Sequence, residues 1–268
     1  MQIEDGRSRE ESLSHRDEEL YAWLRLAEEA VRGAGEYLAQ AAMTGARVTA
    51  ESGRDVKLEA DHISEAHILD VLHRRSDFWI HSEERGVVGG LGDDDLCWIV
   101  DPLDGSFNYL RGIPSCCVSV GLWRKNEPLL GTIYDFKREE LFAGIVGVGA
   151  WLNEAPIHVG CVREPGCAVL CTGFPVDTDF SPDALSQFVN LVRAYKKIRI
   201  LGSAALSLAY VAAGRADVYY ERDIKLWDVA AGAAIVLAAG GRVLRSESDK
   251  KDAVTLYAGP PSMPALYP

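Results

Sequence analysis

Residues 98–109 read WIVDPLDGSFNY: an apolar strand, Trp98 to Val100, runs straight into Asp101 and Asp104 and then into Gly105 and Ser106. Carboxylates this close at a strand end repel one another unless positive charge sits between them. A hard divalent cation meets that need, because magnesium takes oxygen ligands, accepts few from protein, and keeps waters or substrate phosphate in its shell. Pro102 lacks a backbone donor and stiffens the bend, so Asp101, the Leu103 carbonyl and Asp104 can face one point. Gly105 and Ser106 open a short helical turn whose N–H groups can receive a phosphate oxygen. The same residues also suit an ordinary turn in which Asp104 caps a helix, and the stretch by itself leaves both readings open.

Outward from this point, the chain divides by texture. Upstream, Leu20, Leu24, Ala27, Ala30, Val31, Ala34, Leu38 and Ala41 recur at helical steps, which predicts a long amphipathic helix from Asp17 to about Ala42. A second helix is expected from Asp61 to His73, with Asp61 as its cap and Ile63, Ala66, Ile68, Leu69 and Leu72 as its buried stripe. Residues 1–14 are polar without periodicity and read as a mobile tail. Short runs rich in β-branched and aromatic residues (Phe78 to His81, Trp98 to Val100, Cys116 to Leu122, Leu129 to Tyr134, Glu140 to Ile145, Gly149 to Leu152) predict a mainly antiparallel sheet. After about residue 160, strands (Ala168 to Cys171, Ile198 to Leu201, Val218 to Glu221) alternate with helices (Pro182 to Lys196, Ser203 to Ala213, Leu226 to Ala239), which predicts an α/β half. No long Gly/Ser/Pro linker intervenes, so halves 15–160 and 161–268 are expected to share one interface.

The totals set limits. A chain of 268 residues, 48% of them hydrophobic, can bury a substantial core. A net charge of −12 argues against direct nucleic-acid binding, which needs basic residues against phosphates; bound cations can still invert the local charge for a phosphate ester. The six cysteines form no CxxC pair and read as free buried thiols. The opening residues lack a signal-type apolar stretch and no later run is long enough to span a bilayer, so a cytoplasmic protein is expected. The histidines are scattered without ligand spacing, and no GxSxG elbow offers a serine nucleophile.

Three further segments carry carboxylates. KLWDVAAGAAIVLAAGG (225–241) places Asp228 at the start of a small-residue helix, where a lone cap is the plain reading; HSEERG (81–86) pairs glutamates just past a strand, where a solvated turn is the default; DVKLEAD (55–61) ends in Asp61. Taken with DPLDGSFNY, they resemble the inositol monophosphatase family of lithium-sensitive, magnesium-dependent phosphatases, marked by a glutamate pair, DPLDGT with a following asparagine and aromatic, and WDVAAG before a double glycine. The resemblance runs from about Asp17 to Gly259, and GSAALSLAYVAAGRADVYYE (202–221) is similar to the family's substrate-facing segment.

The resemblance implies a layered α/β/α/β/α sandwich, two to three magnesium ions, and hydrolysis of a small phosphorylated polyol or sugar, inositol monophosphate first. Carried over residue by residue, it implies that Glu84, Asp101 and the Leu103 carbonyl hold one ion, that Asp101, Asp104 and Asp228 hold a second, and that Glu84 helps place a third, looser one. Asp61 and Ser106 would orient and activate the attacking water. Gly105 and Ser106 would hold the phosphate by their amides, with Asp104, Ala204 and Glu221 on the substrate side. A homodimer is a further expectation. Ser106 stands where the family usually has threonine, Phe107 replaces a second polar residue, Asp223 replaces a frequent glycine, and Ala238 replaces a glutamate. Histidinol phosphate, fructose 1,6-bisphosphate and 3′-phosphonucleotides are alternative substrates within the same chemistry. A binding partner of the transcription machinery is the alternative of another class.

Overall fold

The computed structural model describes residues 15–43, 45, 47–52, 55–90, 95–176 and 178–265. The tail expected at residues 1–14 lies outside the described residues. Five layers stack as helix, sheet, helix, sheet, helix, as expected. The outer layer pairs α1 (His15–Ala41) with α2 (Glu59–His73), the latter introduced by a hairpin of β1 (Val48–Ser52) and β2 (Asp55–Leu58). Next comes an eight-stranded sheet of β3 (Trp79–Ser82), β4 (Gly86–Gly89), β5 (Leu96–Asp104), β6 (Cys117–Arg124), β7 (Glu127–Asp135), β8 (Glu140–Ile145), β9 (Gly149–Leu152) and β10 (Ala155–Ile157), in the order β10-β9-β8-β7-β6-β5-β3-β4. Its pairings are antiparallel except β3 with β5. The short α3 (Ser106–Leu110) follows β5 directly.

The middle layer is α5 (Ala204–Ala212) and α6 (Leu226–Ala238). Beyond it lies a five-stranded sheet of β11 (Val169–Cys171), β12 (Lys197–Arg199), β13 (Val218–Lys225), β14 (Arg242–Glu247) and β15 (Ala253–Gly259), ordered β12-β11-β13-β15-β14. Helix α4 (Pro182–Ala194) closes the far side, burying Leu191 against Leu170, Val218 and Tyr257. The small residues of α6 serve close approach to the large sheet: a Cβ on Gly131 would sit 2.3 Å from the Ala231 carbonyl oxygen. Only glycine on β7 opposite alanine on α6 permits that spacing.

Two expectations are corrected. Helix α2 starts at Glu59, not Asp61, and its buried side is Ala60, Asp61, Ser64, Glu65, Ile68, Leu69, Val71 and Leu72, with Ile63 and Ala66 outside. The helix spends part of its inner face on polar contacts, Ser64 Oγ donating to the Pro102 carbonyl at 2.7 Å and Glu65 accepting from Ser82 Oγ at 2.5 Å; apolar periodicity cannot register that. Of the cysteines, all six are free, but only Cys116, Cys117 and Cys171 are buried; Cys97 is half-buried and Cys161 and Cys167 are exposed. Among the described residues no helix is long and apolar enough to cross a membrane.

Candidate active site at the carboxylate cleft

Strand β5 is buried through Val100 and loses register with β6 between Asp101, opposite Ser119, and Asp104, opposite Cys117. The irregularity is the Pro102–Leu103 step, and it leaves both aspartates at one end of the sheet. Gly105 then turns the chain with φ of 85°, and a Cβ there would lie 2.7 Å from the Ser115 carbonyl oxygen, so glycine is required on two counts. Asn108 of α3 donates to the carbonyls of Ser115 and Leu201, both at 2.8 Å, which ties this turn to the loop before α5. Asp104 Oδ2 in turn accepts from Ser203 Oγ at 2.6 Å and from the Ala205 N–H at 2.7 Å. The end of the large sheet is thus joined to the middle helical layer through a site aspartate, with Ala204 buried at the start of α5 beside it.

Asp61 is the third residue of α2 and nearly inaccessible. Its Oδ2 accepts from the Leu58 N–H at 2.6 Å, and its Oδ1 lies 3.0 Å from Ser106 Oγ, which can alternatively donate to the Leu103 carbonyl at 2.9 Å. The expected Asp61–Ser106 contact is present, although Asp61 accepts from the residue before the helix rather than capping it as first residue. Asp228 occupies the first turn of α6, and Glu221 is buried on β13 just before that strand's irregularity against β15. Gly173 makes room for Glu221, since a Cβ there would fall 2.4 Å from Glu221 Oε1.

The carboxyls oppose one another's ionisation. Burial, then the neighbouring Glu83, Asp104 and Asp228, hold Asp101 well above the usual carboxylate range, and burial, then Asp104, Glu83 and Glu221, do the same to Asp228. Burial pushes Asp61 up to about 7, Asp104 to about 6 against the hydrogen bonds from Ser203 and Ala205, and Glu221 to about 8 with help from Asp104. So many acidic groups around one cleft of about 940 Å³, which Asp104, Ala204, Glu221 and Asp228 help line, ionise together only if cations enter. Among the described residues, no three acidic, histidine or cysteine side chains converge on one point in metal-ligand geometry. The donor set is nonetheless all oxygen and in chemical terms fits magnesium.

The glutamate pair differs from expectation. It is Glu83 that lines the cleft and whose charge bears on Asp101 and Asp228; Glu84 accepts from Lys57 Nζ at 2.5 Å and lies 3.8 Å from His62 Nδ1. The sequence does not single out Glu83, Lys57 or Ser203 as site residues. For Lys57 a signal existed, a lysine inside the DVKLEAD stretch otherwise read for its acids. Glu65 adds support beneath: it accepts from Ser82 Oγ and from the Arg85 N–H at 3.0 Å, fixing the turn that carries both glutamates.

Residues 19–259 match the model of the inositol monophosphatase family. The inositol-1-monophosphatase of Synechocystis is 40% identical over 229 residues, covering 84% of this chain and 79% of that one. The Nus factor SuhB of Pasteurella multocida is 38% identical over 224 residues, covering 82% and 84% respectively. The solved structure of inositol monophosphatase from Anabaena superposes with a TM-score of 0.79 at 37% identity, covering 91% of this chain and 92% of that chain.

Proposed function

We propose that this chain, which belongs to the inositol monophosphatase family, hydrolyses inositol monophosphate or a closely similar polyol monophosphate with magnesium as its cofactor. It is a phosphatase of the phosphoric monoester hydrolase class. The observation that carries the substrate and cofactor reading is the gathering of Asp101, Asp104, Asp228 and Glu221 at one cleft, with Glu83 beside them and the Asp61–Ser106 pair adjoining.

Asp101, the Leu103 carbonyl, Asp104 and Asp228, with Glu83 in the place expected for Glu84, are the residues that would hold the ions. When bound, magnesium supplies Lewis acidity toward water and the phosphoryl and leaving oxygens. Ser106 Oγ and Asp61 Oδ1, 3.0 Å apart, orient the attacking water. Asp61, whose Oδ1 faces Ser106 Oγ, would accept the water's proton. The Gly105 and Ser106 amides face the phosphate, and Glu221 meets ring hydroxyls as acceptor or donor according to its charge. Catalysis is then positioning and charge neutralisation without a covalent intermediate. We also read the protein as a cytoplasmic homodimer; a light-scattering mass of one chain would remove the dimer.

The test is phosphate release with and without magnesium across inositol 1-phosphate, histidinol phosphate, fructose 1,6-bisphosphate and 3′-phosphoadenosine 5′-phosphate, with Asp101→Asn as control. Magnesium-dependent turnover of the inositol ester, lost in the control, is expected; turnover of another ester alone moves the substrate, and silence on all of them removes the reading. The name Nus factor carried by the Pasteurella relative favours a second role beside the transcription machinery. A pull-down without polymerase or ribosomal partners would remove that role.

A further inference from the structure

The glutamate pair already has a cation. Lys57 Nζ lies 2.6 Å from Glu83 Oε1 and 2.5 Å from Glu84 Oε1, with only a quarter of the lysine side chain and 7% of the Glu84 side chain exposed. The ammonium is delivered there by backbone that has little freedom. Leu58, the next residue, is fully buried, its N–H donates to Asp61 Oδ2, and the Glu59 N–H is held by the Arg47 carbonyl at 2.9 Å. Strand alternation then sends the Lys57 side chain to the opposite side from Leu58, toward the cleft that Lys57 itself lines. The receiving turn is equally fixed, through Glu65 beneath and through the Glu83 N–H on the Val100 carbonyl at 3.2 Å.

We propose that the Lys57 ammonium is a built-in substitute for the third, loosest divalent cation, the one between Glu83 and Glu84, and leaves Glu83 to the ion it shares with Asp101, so that this chain binds one fewer metal ion, or binds its weakest one less tightly, than the same site without the lysine. The inference rests on the phosphatase reading above and adds to it where the protein offsets part of its own acidic charge. A divalent ion brought to the pair meets a like charge already within ion-pair distance of both carboxylates, and must displace it or settle farther off. The aspartates at the end of β5 accept instead from backbone amides and a serine hydroxyl, neither of which carries a full charge, and still call for ions from solution. Lysine suits the glutamate pair because it is a compact charge with three donors, enough to bond both carboxylates at once.

The experiment is a manganese titration of the full-length protein, following free Mn2+ by its paramagnetic resonance, for the wild type, Lys57→Met, Lys57→Gln and Lys57→Arg. The expected result is one additional ion per chain in Lys57→Met and Lys57→Gln, or a weakest site tightened by about tenfold, with Lys57→Arg close to wild type. Neutral variants that melt early in chelator but are restored by Mn2+ would give the same answer. Superimposable isotherms for the wild type and the neutral variants overturn the proposal, and so do neutral variants that stay unfolded even in saturating Mn2+, because an ion would then be no replacement. An unchanged isotherm with a higher KM for every ester would make Lys57 a phosphate contact instead. If the wild type binds no Mn2+ at all, the metal reading of the whole cleft fails and takes this inference with it.

Discussion

Two acidic corners of the same cleft are managed in opposite ways. At the end of β5, Asp101 and Asp104 meet Asp228 from α6, and their neighbours are backbone amides, a serine hydroxyl, the Cys117 thiol and one another. At the β3–β4 turn, Glu83 and Glu84 share the Lys57 ammonium. The first arrangement leaves its negative charge to be balanced from outside, and the second offsets one of its two charges from within. A count of carboxylates therefore does not give a count of ions; the protein's own cations have to be subtracted first.

The largest effect expected from breaking this contrast is at the aspartate corner. Asp228→Asn keeps the shape and removes a charge that nothing else in α6 supplies, and should lower kcat/KM for inositol 1-phosphate by on the order of 10³-fold, measured by phosphate release at saturating magnesium. A loss below about tenfold would place Asp228 outside the ion-holding set. Next in size is the glutamate pair itself. Glu83→Gln should cost about 10²-fold in kcat, while Glu84→Gln should cost less than about tenfold, because only Glu83 bears on Asp101 and Asp228. The reverse order would restore Glu84 to the role expected from sequence.

A smaller, global effect follows from the raised carboxyls. Asp61 at about 7, Asp104 at about 6 and Glu221 at about 8 all lie above their ordinary values of 3.8, 3.8 and 4.5. The folded chain without cations thus holds more protons than the unfolded one between about pH 4 and pH 8, so their contribution is present below that window and is lost as pH rises through it. In chelator the melting temperature should fall by roughly 5 °C or more from pH 5.5 to pH 8, and magnesium should flatten the decline by favouring the ionised forms. A melting temperature that rises over the same range in chelator would contradict the charge balance described for the cleft.

How much of this was legible in advance depends on how far apart the partners are in the chain. The β5 end could be read locally, because an apolar strand running into DPLDG holds both its carboxylates and its bend within a few residues, and the five-layer fold came with the family resemblance. The choice between Glu83 and Glu84 could not, since adjacent residues past a strand end point different ways and the direction is set by Glu65 and Val100 from other elements. The stripe of α2 escapes apolar periodicity for a related reason: Ser64 and Glu65 are buried to make hydrogen bonds, and periodicity counts only apolar letters. Ser203, whose hydroxyl reaches Asp104 across 99 positions of sequence, leaves no local trace beyond its role as the cap of α5.

The mildest test separates the cleft's chemistry from its recognition. Glu221 shares the aspartates' electrostatics, being raised by burial and then by Asp104, yet it sits on β13 in the other sheet, with Gly173 shaped around its carboxylate. If it only meets substrate hydroxyls, Glu221→Gln should raise KM for inositol 1-phosphate by about tenfold and leave kcat within about threefold, since one hydrogen bond to a charged group is lost and no reacting atom is touched. The same substitution removes a buried acid that is costly to ionise, so in chelator at pH 8 the variant should melt a few degrees, about 2–4 °C, above the wild type. A fall in kcat comparable to that of Asp228→Asn would instead join Glu221 to the aspartate corner, and the division between residues that hold ions and residues that read the substrate would have to be redrawn along β13.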